Sequence, residues 1–406
     1  MARASAPISK DPSPARPVAR SLSVQIGAAT LARLIVNTSK RFPYTFALPL
    51  SRALGLPLTT ITYLIAINQA TGVLSPLFGP LGDRWGYRLM MLAGLGVLAG
   101  GMLAGGLLPV YLVVLLALFL AGLGKSLFDP ALQSYIGERV SYQRRGRAIG
   151  VVEFSWAGSS LVGIPLVGLL IARFGWPSPF LMLGGLALLG VLALAYLIPP
   201  EGRRRSTAKS PISFRQAWQR LGRERAALGA LGFSLLVAAA NDNLFVIYGA
   251  WLESSFGLSV LALGVATMAI GVAELLGEGL TAFFADRLGL KRALFTGLVL
   301  SALSYILLPL VGHTLSLALI GLFIAFLTFE FTVVTGISLF TEILPEARVT
   351  MMSSNIAAMS IGRVVGALVG GMVWLAGGLL ATSLVSAVIC GLALVCLAWG
   401  LRHWRA

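Results

Sequence analysis

Charge is what this 406-residue chain has least of. Asp, Glu, Lys and Arg make up 11% of it, against roughly 25% in soluble domains. Hydrophobic residues make up 57%. A soluble fold of this length cannot hide so much apolar surface, which leaves a polytopic membrane protein. Histidine is nearly absent: His313 falls in a short loop and His403 near the C-terminus. No buried histidine is then available for metal or acid–base chemistry, which argues against an enzyme. Cys390 and Cys396 lie in one apolar run, where their spacing turns them to different sides of a helix. They read as packing residues, with neither a disulfide nor a metal site. No nucleotide cofactor is implied either. GLGKS, Gly122 to Ser126, imitates the end of a phosphate-binding loop, but Phe119 stands where that loop needs glycine and no strand precedes it. The first residues, MARASAPISKDPSPARPVAR, read as a disordered tail over 1–21, and no cleaved secretory signal is expected.

Acids are scarcer than bases, and the net charge is +16. In a soluble protein that would suggest nucleic acid. Here the placement of the charge says otherwise. Apolar segments of about 20 residues recur near 22–50, 58–80, 87–107, 109–137, 147–172, 179–199, 225–252, 258–284, 292–312, 314–341, 351–376 and 379–401. The first is the weakest, because it carries Arg33, Asn37, Lys40, Arg41 and Pro43; hydropathy alone would report eleven. With the N-terminus inside, Arg52 and Arg173 are the only basic residues in outer loops. Arg33, Lys40, Arg41, Lys125 and Arg363 fall within spans, and the remainder of the 31 Lys and Arg lie inside. This positive-inside pattern requires twelve spans and places both termini in the cytoplasm. The basic loops then face anionic lipid, and nucleic acid is not needed to explain them.

Asp83 and Asp286 are 203 residues apart, half the chain. At that offset Arg84 meets Arg287, Gly86 meets Gly289, Arg88 meets Lys291, Arg145 meets Arg348, Gly163 meets Gly366, and Gly168 meets Gly371. An internal duplication of six-span bundles accounts for these matches. It predicts an N-terminal bundle over 22–200, a cytoplasmic linker over 201–224 with a short amphipathic helix at 214–221, and a C-terminal bundle over 225–406.

GPLGDRWGYR, Gly79 to Arg88, follows the second span, and AFFADRLGLKR, Ala282 to Arg292, follows the eighth. The first is similar to the loop motif of the major facilitator superfamily, matched in place by Gly79, Leu81, Asp83, Arg84, Gly86 and Arg88. The second keeps Asp286, Arg287, Gly289 and Lys291 but has Ala282 where Gly79 stands. With twelve spans and a basic central linker, the resemblance covers essentially the whole chain. It implies an all-α fold of two pseudo-symmetric six-helix bundles that expose a central cavity alternately to each side. It also implies a conformational gate, in which Asp83 engages the start of the eleventh span near Arg348 and Asp286 engages the start of the fifth near Arg145 or Arg147. The fifth span, EFSWAGSSLVGIPLVGLLIARFGWPSPF, loosely resembles the Gly/Pro motif of antiporters, and the chain as a whole resembles the drug and sugar (arabinose-type) efflux branches. In the fourth span Leu118 stands four residues before Gly122, where many proton-coupled exporters carry Arg; any proton coupling must use other groups.

Charges inside a membrane are costly and mark function or pairing. Arg33, Lys125, Asp129, Glu153, Asp242, Glu274, Glu330 and Arg363 all fall within spans. Lys125 and Asp129 are spaced to meet on one helix. Glu274, Glu278 and Asp286 share a face of the eighth. Asn241, Asp242 and Asn243 lie deep in the seventh span, opposite the polar run from Asn37 through Lys40 to Arg41 in the first if the repeat holds, and this convergence is the candidate substrate site. Glu330 and Arg363 lie at similar depth and are candidates for an ion pair. Asp242, Glu330 and Glu274 are the candidate proton carriers.

The expected function is secondary transport across the plasma (inner) membrane by a monomer: proton-coupled efflux of a small organic molecule. A proton-driven importer of a sugar or organic acid is the nearest alternative, and a non-transporting scaffold or sensor is the alternative of another class.

Overall fold

The structure, a computed structural model, describes the backbone of residues 21–200, 214–345 and 348–404. Within these, the side chains of 79–80, 82–84, 142–149, 214–215, 217, 282, 285–286 and 348–349 lie outside the described set. Among the described residues every regular element is a helix. The expected tail thus lies outside the description almost entirely, as does the linker up to residue 213; the linker's helix is present as Phe214–Arg223.

Ten helices are long and apolar enough to cross a membrane. The first span is missed by that measure because it is charged and broken. It runs as Leu22–Thr45 and Ala47–Leu54 around Phe46, three residues after Pro43, whose ring removes a helical hydrogen bond. The last of the ten holds two spans: Arg348–Leu401 is interrupted by non-helical backbone at Gly377 and Gly378. Twelve spans result. The others begin or run at Leu58–Phe78, Tyr87–Leu107, Tyr111–Arg139, Gly150–Phe174, Ser178–Leu197, Arg225–Phe256, Val260–Thr281, Leu290–Val311 and Leu315–Ile343.

The pairing of spans repeats. Span 3 packs on span 4 and span 2 on span 4; span 9 packs on span 10 and span 8 on span 10 in the same way. The matched glycines explain the repeat physically. Gly163 lies where a side chain would strike Thr38, so span 5 closes on span 1; a Cβ at Gly366 would lie 2.5 Å from the Ala239 carbonyl oxygen, so span 11 closes on span 7. Small residues permit such backbone approach between membrane helices. Gly86 and Gly289 both hold positive φ, +90° and +80°, at the turns before spans 3 and 9, a conformation other residues resist.

The two halves meet at the end of the bundle opposite the chain termini, called here the far end. Span 5 meets span 8 at Gly168, where a Cβ would lie 3.0 Å from the Val260 carbonyl oxygen. Span 11 meets span 2 at Gly371, where it would lie 2.9 Å from Thr62. Span 1 meets span 7 at Gly249, which sits directly on the Thr45 carbonyl. Beside it the Thr45 and Tyr248 hydroxyls lie 2.5 Å apart, and Arg52 forms an ion pair with Glu253. The far end is therefore closed.

Candidate functional site

Several spans lose regular helix geometry midway. Span 7 breaks at Val246 and Ile247, span 8 at Thr267, and span 5 widens into a π turn at Ser159–Gly163. Wide turns of this kind are frequent at functional sites. The buried charges gather beside them in three linked groups.

The first group belongs to the first half. Arg33 reaches Asp129 at 3.2 Å and Glu153 at 2.9 Å, and donates to the Val152 carbonyl at 3.0 Å. Lys125 meets Asp129 at 2.6 Å, the pair its spacing predicts, and donates to the Asn37 carbonyl oxygen at 2.5 Å. Asn37 in turn donates to Ser155 at 3.2 Å. Each charge here has a partner, as buried charges require.

The second group crosses between the halves. Arg41 of span 1 grips Glu274 of span 8 with two nitrogens, at 3.0 and 2.5 Å. Both side chains are only 3% exposed. Ser160, within the π turn, donates to the same carboxylate at 3.3 Å, and the Arg41 guanidinium lies 4.4 Å from the centre of the Trp156 ring. Two-pronged arginine–carboxylate pairs are among the strongest hydrogen-bonded contacts.

The third group centres on Asp242 of span 7. Tyr44 of span 1 donates to it at 2.7 Å. Arg363 of span 11 stands 3.9 Å away and also faces Trp156, at 5.7 Å from the ring centre. Lys40 lies in the field of Arg363, Lys125, Asp242 and Asp129. Tyr44, Phe245 and Tyr248 stack in series, with ring centres 4.5 and 5.3 Å apart.

Some residues singled out in the sequence sit elsewhere. Arg363 pairs with Asp242 and not with Glu330. Glu330 is buried against Gly277 of span 8 and, like half-buried Glu278, has no hydrogen bond or ion pair among the described residues. Asn243 turns away from span 1 and donates to the Thr382 carbonyl and to Ser386 of span 12, at 2.9 and 3.0 Å. Asn241 accepts from Tyr305 of span 9 at 3.5 Å. Of the three, Asp242 alone forms a hydrogen bond to the opposite half among the described residues. Of the gate residues, Arg88 donates to the Ala195 carbonyl at 2.7 Å, and Lys291 to the Leu401 carbonyl at 2.6 Å. The two counterparts thus tie each turn to the last span of its own half. Arg287 lies 4.1 Å from the Phe283 ring centre. Gly79 and the side chains of Asp83, Arg84, Arg145, Asp286 and Arg348 lie outside the described set.

Arg41 and Trp156 are central, and neither stood out individually in the sequence. The signal for Arg41 was its place in the polar run of span 1; for Trp156 it was its position one helical turn beyond Glu153.

A buried polar seam between two repeated six-helix halves, closed at one end, defines a membrane transporter and not an enzyme. The family model of the Major Facilitator Superfamily matches residues 29–245 and 230–405. The chain belongs to that superfamily and is a secondary transporter. It is 28% identical to an uncharacterized MFS-type transporter, YceJ of Bacillus subtilis, over 73% of this chain and 75% of that one. It is 24% identical to the multi-drug resistance efflux pump PmrA homolog of Lactococcus lactis, over 78% and 79%. Its fold matches an inward-facing, unoccupied bacterial homologue of the lysosomal transporter Spinster with TM-score 0.79, at 17% identity over 95% of this chain and 98% of that chain.

Proposed function

We propose that the chain is a proton-coupled exporter of a small organic molecule, working by alternating access. The observation that carries this reading is the Arg41–Glu274 pair. It joins the two halves through a carboxylate, and removing that charge would weaken a contact made beside the closed far end. Glu330 lies one helix away at Gly277 with no hydrogen bond or ion pair among the described residues, and is a candidate carrier. Asp242 links both halves through Tyr44 and is the second candidate carrier. Export draws on the likeness to the efflux pump of Lactococcus lactis.

On this reading residues 22–200 and 225–406 are the two moving bundles, and 201–224 is the cytoplasmic linker. The protein is a monomer in the plasma membrane with both termini cytoplasmic, and the Asp83 and Asp286 turns gate the cytoplasmic end.

The test is proton movement in reconstituted liposomes, with sugars, amino acids and lipophilic drugs added in turn. Compound-dependent proton flux that disappears in Glu274→Gln, Asp242→Asn or Glu330→Gln is the expected result. Substrate moving in the same direction as the protons would establish the importer instead. Transport that ignores the proton gradient would refute coupling.

A further inference from the structure

We propose that the site between the halves recognises an organic anion, its acidic group held between Lys40 and Arg363. The proposal rests on reading this seam as the substrate site.

The argument begins with satisfaction of charge. Arg33, Arg41 and Lys125 are each saturated: two carboxylates for the first, a two-pronged carboxylate for the second, a carboxylate and an amide oxygen for the third. Lys40 is different. It sits midway along span 1, is half-buried, and has no hydrogen bond or ion pair within reach among the described residues. Arg363 is only slightly better placed. Its one carboxylate, Asp242, is 3.9 Å away, beyond hydrogen-bonding distance, and already accepts from Tyr44. Lys40 thus has no carboxylate paired with it among the described residues, and Arg363 has only Asp242, beyond hydrogen-bonding distance.

A cation within a membrane bundle is kept without a paired carboxylate only where something repays it. The arrangement of donors indicates what that is. An ammonium from one half and a guanidinium from the other offer a converging set of N–H groups, which fits a carboxylate or phosphate. Arg363 retains 20% of its side-chain surface, so it is open to a ligand. On the span 1 side, Lys40 stands one helical turn before Tyr44, which donates to the Asp242 that Arg363 faces. Glu330 packs on span 8 at Gly277 and lies in the field of Arg363, but it forms no ion pair with it, and Lys40 is not among the charges it faces. An anion bound between Lys40 of span 1 and Arg363 of span 11 also touches both halves, which is what a transported substrate must do to couple their motion.

The experiment is thermal unfolding of the purified full chain in neutral detergent, without any gradient. The probes are naphthoate, naphthylmethanol and naphthylmethylamine, which differ in charge on one ring system. Dodecyl phosphate is a fourth, to separate a lipid-like acid from a soluble one. Naphthoate, dodecyl phosphate or both should raise the transition temperature; the alcohol and the amine should not. Lys40→Gln and Arg363→Gln should each weaken that binding on the order of tenfold, the scale of one charged hydrogen bond. Lys40→Arg should keep it, and the unliganded transition of each variant shows whether it folds. Stabilisation by the amine, unchanged acid binding in both glutamine variants, or no shift with either acid would overturn the proposal. Loss of proton flux with acid binding intact would refute only the coupling reading, and proton-coupled export of amines would refute only this one.

Discussion

Glu274→Gln keeps the shape of the side chain and removes its charge. Arg41 is then left buried without a counterion, at 3% exposure. Breaking one side of a buried ion pair costs about 3–5 kcal/mol. The lower end applies here, because Arg41 keeps the Trp156 carbonyl at 3.4 Å and the indole face. Arg41 and Glu274 come from opposite halves, so the cost falls on the state in which the far end is closed and is relieved when the halves separate. A penalty of about 3 kcal/mol shifts that equilibrium by roughly a hundredfold. Spin labels at Phe174 and Leu261, exposed near the far ends of spans 5 and 8, report the separation by pulsed electron resonance once Cys390 and Cys396 are replaced. The variant should move the distance distribution outward. The double variant Arg41→Met, Glu274→Met removes both charges and should return the closed population, because apolar replacements of buried pairs are often neutral or stabilising. An unchanged distribution in Glu274→Gln, or a double variant as open as the single one, would refute the pair as the tie between halves.

Gly249→Val places a branched side chain on the Thr45 carbonyl and should keep the far end from closing; solvent accessibility of a cysteine at Leu50, buried in the closed state, should rise. Arg33→Met leaves Glu153 without its ion-pair partner while Asp129 keeps Lys125, and should lower stability by about 1–3 kcal/mol, read as a fall in transition temperature, with Glu153→Gln in the same chain recovering part of it. Gly86→Val forces a branched residue to φ +90° and ψ 145° and should lower stability by about 1–3 kcal/mol; Gly86→Asn should not recover it, because Asn tolerates the left-handed helical region and not this extended ψ. A topology reporter fused after Arg52 should read outside, and a cytoplasmic signal would invert the proposed orientation.

The coarse architecture was legible because its causes act along the sequence. Apolar length sets the spans, basic loops set their parity, and glycines at matched positions record where helices must touch. The Lys125–Asp129 pair was legible for the same reason, since helical spacing fixes it. The candidate site was only partly so. Consecutive residues on a helix point about 100° apart, so Asn241, Asp242 and Asn243 fan out, and the sequence does not say which one meets span 1. Depth suggested a Glu330–Arg363 pair, but depth leaves the direction around each helix open; Arg363 turns to Asp242. Arg41 had the same neighbours in sequence as Lys40, and only the packing of span 8 separates a saturated cation from an unsaturated one.

Thr45 and Tyr248 touch and are counterparts in the repeat, 203 residues apart. A position that meets its own copy lies on the axis relating the halves. In a symmetric dimer of identical chains such a position is bound to itself: whatever residue stands there faces its twin, and two large or two small side chains are the only choices. Joining both copies in one chain lifts that restriction. Here one side of the axis holds a small hydroxyl residue and the other a large one, so the contact fills without collision and still closes a hydrogen bond. The same freedom lets span 1 carry cations where span 7 carries an acid, giving the two halves of one carrier unequal chemistry.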